Sequence, residues 1–133
     1  MKNYVLDAHA VMAYLEGEEG KDKVISVLDE VVDGHAKVFF CIVNWGEVWY
    51  TVFREGGEVR AQQYQNALSE LDIVLLDVDK KLTLTAARFK GTYKMSYADA
   101  FAAATAKFKN AHLVTGDPEF KDLQKEIKIK WIR

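Results

Sequence analysis

The chain has one cysteine, Cys41, and one proline, Pro118, in 133 residues. A lone thiol excludes an internal disulfide and leaves no cysteine set to hold zinc. Cys41 sits inside KVFFCIV, so it reads as a small core hydrophobe. With so little proline, long irregular loops are not expected. No apolar run reaches the roughly 18 residues that a bilayer span needs, so no membrane segment is expected. MKNYVLD arrives at an acid too early for a secretory leader, and a cytoplasmic location follows by default. Internal repeats, low-complexity stretches and linkers are also missing. What is present is a chain half hydrophobic and 29% charged, the balance of a folded protein. Its length fits one domain spanning 1–133.

Strand-like and helical segments alternate. NYVLD (3–7) reads as a short buried strand, and 8–15 as a helix with Val11, Met12 and Leu15 in its stripe. Residues 21–33 form an amphipathic helix stopped by Gly34. KVFFCI (37–42) is β-branched and aromatic, hence a strand. Helices follow over 43–55 and 58–71, then a strand at 73–76. Asp79 caps a helix running to Gly91, and Ser96 caps another reaching about Lys109. HLVT (112–115) is a strand, Pro118 opens a short helix, and IKIKWI is a closing strand. This order predicts an α/β fold, a mostly parallel sheet with helices on both faces. In such sheets ligands bind beyond the carboxyl ends of the strands.

Charge is unevenly spread. Residues 80–109 carry seven basic side chains, Lys80, Lys81, Arg88, Lys90, Lys94, Lys107 and Lys109, against one acid, Asp99. A solvated helix face explains many of them. A phosphate-facing surface beside an acidic site is the sharper reading, with Lys80, Arg88, Lys90 and Lys94 as its candidates.

Four acids stand where sheet topology would gather them. Asp7 ends the first strand and is also a helix N-cap. Glu47 lies in VNWGEVWYTVFRE, an apolar helix whose Asn44, Glu47, Thr51 and Arg54 share one face. Asp99 occupies the first turn of an alanine-rich helix, within a weak capping box from Ser96. Asp117 stands before Pro118, good helix-start chemistry by itself. Each acid has a dull explanation, but together they pose an electrostatic problem. Two carboxylates ~4 Å apart repel by about 4 kcal/mol at an effective dielectric near 20. Protonation relieves that repulsion, and so does a hard divalent cation. Oxygen-only donors suit Mg²⁺ or Mn²⁺ rather than zinc. Mg²⁺ held by a few carboxylates commonly serves phosphate chemistry.

YVLDAHAVMAYL, VNWGEVWY, SYADAFAAATA and LVTGDPEF, in that order, resemble the four acid motifs of the PIN-domain family, and especially its small VapC-type ribonuclease toxins. The likeness spans nearly the whole chain. It implies a compact α/β fold and Mg²⁺- or Mn²⁺-dependent cleavage of single-stranded RNA. Asp7 and Asp99 would be the surest metal ligands, completed by Glu47 and Asp117. Thr115 matches a hydroxyl that orients the acids, and Asn44 a polar neighbour of the second acid. The family implies a homodimer and a cognate VapB-type antitoxin whose tail enters the groove.

One departure is His9, where many relatives have Ser or Thr. An imidazole there would touch a phosphate or a metal-bound water, or hydrogen-bond locally near the helix start. Trp45, Trp49, Tyr50 and Phe53 exceed what one helix face hides, so part of this cluster is expected against a second subunit or the antitoxin. Within nucleases the alternative is a housekeeping PIN enzyme of RNA processing or DNA repair. From other classes, a receiver-like phosphoacceptor using Asp7 or Asp77 lacks the acidic pair it needs. A haloacid-dehalogenase-type phosphatase would need an acid at His9, and a Rossmann protein a glycine-rich turn where DAHAV stands.

Overall fold

A computed structural model describes residues 1–133. The first strand, β1 (Lys2–Leu6), has both neighbours paired and is buried through Tyr4, Val5 and Leu6, which explains its continuous apolar run. Helices α1 (Ala8–Glu16) and α2 (Lys21–Val32) carry the chain to β2 (Ala36–Cys41). Helices α3 (Ile42–Gly56) and α4 (Glu58–Ser69) lead on to β3 (Ile73–Leu76). The return runs through α5 (Lys80–Thr92) and α6 (Tyr97–Phe108) to β4 (His112–Thr115). A 3-10 helix (Pro118–Lys125) then leads to β5 (Lys128–Trp131). The sheet order is β3-β2-β1-β4-β5, and every neighbouring pair is parallel.

Alternate strand residues feed two cores, as a period of two requires. Tyr4, Leu6, Val38, Phe40 and Val114 meet α1 to α4 on one face. Val5, Phe39, Cys41 and Leu113 meet α5, α6 and the 3-10 helix on the other. Cys41 is fully buried, as its apolar setting predicts. Alanines 100, 102, 103, 104 and 106 are all buried on α6, and their small side chains let this helix lie close against the strands. The short helix expected after Pro118 is of the 3-10 type. Its Phe120 and Leu123, three residues apart, align on one side of such a helix and both plug into the core.

Several boundaries moved by a residue or two, among them β2 at Ala36–Cys41 and the end of α4 at Ser69. The first strand stops at Leu6, because Asp7 turns its carboxylate to the start of α1. The closing strand shrinks to Lys128–Trp131, with Ile127 and Ile132 buried just outside it.

Chain direction creates the site. From β1 the path moves outward to β2 and β3, then crosses back to β4 on the opposite side of β1. The strand order therefore reverses between β1 and β4, and a crevice opens beyond their carboxyl ends. Asp7 follows β1, and Gly116-Asp117 follow β4.

Candidate acidic active site

Asp7 is a helix cap and more than that. Its backbone N–H donates to the Val114 carbonyl at 3.3 Å, extending the β1–β4 ladder. Its carboxylate accepts from the Ala10 N–H at 2.7 Å and from the Thr115 hydroxyl at 2.5 Å. The Thr115 oxygen in turn accepts from the Asp117 N–H at 3.0 Å. One buried hydroxyl thus ties together two acids 110 residues apart in sequence. Asp7 is 1% exposed, and this burial raises its pKa from 3.8 to about 7 against the opposing pull of both hydrogen bonds. The charges of Asp99 and Asp117 push it the same way.

Asp99 enters from the first turn of α6, where its N–H donates to the Ser96 side chain at 3.1 Å. Burial raises its carboxyl to about 6, followed by the charges of Asp117, Glu47 and Glu119, with Ser96 opposing. Glu47 enters from α3, its pKa raised by burial and lowered by the Asn44 hydrogen bond. Asn44 is fully buried. Its amide donates to the Ala98 carbonyl at 3.0 Å and reaches Glu47 Oε1 at 3.5 Å, stitching α3 to the start of α6. Asn44 Oδ1 is buried without a partner.

Asp117, Asp99 and Glu119 each offer a carboxylate oxygen, and these atoms all lie within 4.8 Å of one another. Asp117 also caps the 3-10 helix, accepting from the Glu119 N–H at 2.9 Å. The helix-start reading of Asp117 therefore holds, and the same residue lies within the acid cluster. Glu119 escaped the sequence reasoning. Its signal was the spacing D-P-E: proline fixes the first turn, so the second acid returns to the side of the first.

His9 finds its partner at the far end of the chain rather than locally. Its Nε2 lies 3.0 Å from Arg133 Nη1. Its pKa is lowered, first by burial and then by Arg133. The basic candidates are spread along α5 and the turn after it. Lys80 lies in the first turn of α5, and its neighbour Lys81 sits over Phe108 at the last turn of α6. Lys90 donates to the Met95 carbonyl at 2.7 Å, at the end where α6 begins, and Lys94 lies exposed beside it. Arg88 lines a cavity with Thr85, Phe89, Thr92, Lys107 and Glu126. Only Lys90 and Lys94 stand at the end of α6 that carries Asp99.

Residues 4–126 match the PIN domain family model. The chain belongs to the PIN-domain family. Solved structures repeat this fold at low identity. VapBC2 from Rickettsia felis, bound to a promoter DNA fragment, superposes with a TM-score of 0.79 at 16% identity, covering 98% of this chain and 99% of that one. A toxin–antitoxin complex from Klebsiella pneumoniae gives 0.73 at 15%, covering 98% of each. Mycobacterium tuberculosis VapC20, a sarcin–ricin loop cleaving toxin, gives 0.68 at 16%, covering 90% of this chain and 93% of that one. No curated protein sequence matches the chain. No helix of this PIN domain is long and apolar enough to cross a membrane.

Proposed function

We propose that this PIN domain is an endoribonuclease that uses Mg²⁺ or Mn²⁺ to cut single-stranded regions of RNA, as the toxin of a toxin–antitoxin pair. The observation that carries the reading is the gathering of acids from four separate segments at the β1–β4 crevice, with Asp7, Asp99 and Glu47 all held at raised pKa. A fold does not assemble such a set cheaply unless a cation relieves it. The donors fit a hard dication, being carboxylate oxygens alone. Asp7 and Asp99 would hold the ion, with Glu47, Asp117 and Glu119 completing the pocket. A bound dication would polarise a phosphodiester and make water a better nucleophile.

The side chains around the acids position them. Thr115 fixes one oxygen of Asp7 and the backbone of Asp117. Asn44 holds Glu47 toward the α6 terminus that carries Asp99. Lys90 and Lys94, at that same end, are suited to the RNA backbone, while Lys80 and Arg88 would meet it only if the strand wraps along α5.

The toxin assignment draws on the likeness in fold to VapC20 and to the VapBC and Klebsiella complexes. By the same reading the chain is one PIN-like domain over 1–133, works in the cytoplasm, forms a homodimer and is silenced by a VapB-type antitoxin. Trp45 and Trp49 pack on the core, but Tyr50 and Phe53 remain 49% and 47% exposed, which leaves apolar surface for such a contact. Incubating the purified protein with total RNA and Mg²⁺ tests the proposal. The parent should cut, EDTA should stop it, and Asp7→Asn should be inactive with an unchanged fold. Cleavage by Asp7→Asn at the parental rate would end the proposal.

A further inference from the structure

We propose that Arg133 grips a backbone phosphate of the RNA at the rim of the acidic pocket, an inference that rests on the nuclease reading above. Arg133 lies beyond the residues that match the family model. The residue before Arg133 is pinned at the site, because the Ile132 N–H donates to the Thr115 carbonyl at 3.0 Å. Gly116, between Thr115 and Asp117, makes room for it. A Cβ at Gly116 would fall 2.6 Å from Arg133 Cδ and 2.6 Å from His9 Cε1. Gly116 has no left-handed φ, so its missing side chain serves space and not backbone conformation. The aliphatic stem of Arg133 and the imidazole therefore lie close over the backbone that presents Asp117.

The head group is held at two points. Arg133 Nε lies 3.4 Å from Glu19 Oε2, and Nη1 donates to His9 Nε2 at 3.0 Å. A guanidinium does not give up its proton, so His9 Nε2 is the acceptor and the imidazole proton rests on the buried Nδ1. His9 is thus a positioning residue for Arg133. The two Nη2 protons have no protein partner, and the side chain is 49% exposed. A planar cation so oriented, with free donors, matches phosphate geometry. The site needs such a group. A cluster of carboxylates repels a polyanion, and a cation fixed beside it holds the neighbouring phosphate while the acids address the one being cut.

The test measures binding of a labelled, mixed-sequence single-stranded RNA across a salt series, in an Asp7→Asn background that prevents cleavage. Arg133→Gln should weaken binding about tenfold at low salt and reduce the salt slope by about 0.7, the contribution of one single-strand phosphate. Arg133→Lys should restore the slope and only part of the affinity, because the charge returns without the planar fork. Gly116→Ala, which displaces Arg133 without removing it, should shift affinity in the same direction as Arg133→Gln. In the cleaving protein, Arg133→Gln should raise KM and spare kcat. An unchanged slope and KM, with a lowered melting temperature alone, would mark Arg133 as a structural strut and overturn the inference. If the parent binds RNA with an Arg133-dependent slope yet never cuts it, the nuclease reading falls and the grip stands. If the parent cuts RNA and Arg133→Gln matches it in slope and KM, only the grip falls.

Discussion

Replacing Asp7 by Asn should destroy activity and stabilise the metal-free protein, with a gain that depends on pH. The folded carboxyl titrates near 7 against an ordinary value of 3.8. Between those values the native state binds more protons than the unfolded chain, so native stability falls as pH rises through the window. By pH 8 the full difference is expressed, about 4 kcal/mol at most. Asn carries no such cost. It does forfeit the bond in which the Thr115 hydroxyl donates to the carboxylate, about 1 kcal/mol. The balance at pH 8 favours the variant by about 3 kcal/mol, or roughly 10 °C in melting temperature. Near pH 4 the ionisation cost has gone and only the lost bond remains, so the variant should melt at or slightly below the parent. Thermal melts in EDTA from pH 4 to 8 should therefore show two curves that meet or cross on the acid side and diverge toward pH 7. Added Mg²⁺ should raise the parent at pH 8 and scarcely move the variant. Parallel curves across the range would refute the claim that burial raises the Asp7 pKa.

Thr115→Val should cost about 2 kcal/mol in urea unfolding, because it strands an Asp7 oxygen and the Asp117 N–H in a buried setting. RNA cleavage should fall along with it. Glu119→Gln should weaken Mn²⁺ binding several-fold by calorimetry with little change in melting temperature, since the side chain is exposed and its N–H bond to Asp117 survives. Replacing Lys90 and Lys94 together by Gln should flatten the salt dependence of RNA binding more than replacing Lys80 and Arg88 together. Equal effects would return all four to the solvated surface. Leu123→Ala, in the core under the 3-10 helix, should lose about 2–5 kcal/mol.

Most of the fold was legible because each element announces itself locally. Asp7, Asp79 and Ser96 cap the helices that their sequence positions suggest. The apolar runs of β1 and β2 declare strands buried on both faces. The placement of Asp7 and Asp117 was legible for a topological reason: a residue just past a parallel strand falls at one edge of the sheet. Glu119, Arg133 and the true partner of His9 were not. Their placement depends on where the chain beyond β4 comes to rest, and Ile132 is held there by one backbone bond to Thr115. Charge counted along the sequence does not register the length of α5, which carries Lys80 and Lys90 to opposite ends of α6.

The crevice draws its first acid from residue 7 and others from residues 99, 117 and 119, the Thr115 hydroxyl tying residue 7 to residue 117. β1 cannot meet β4 until some hundred intervening residues have been synthesised. A nascent chain, or one broken off before that stretch, holds only scattered acids. The pocket therefore exists only after β4 has been made and has docked beside β1.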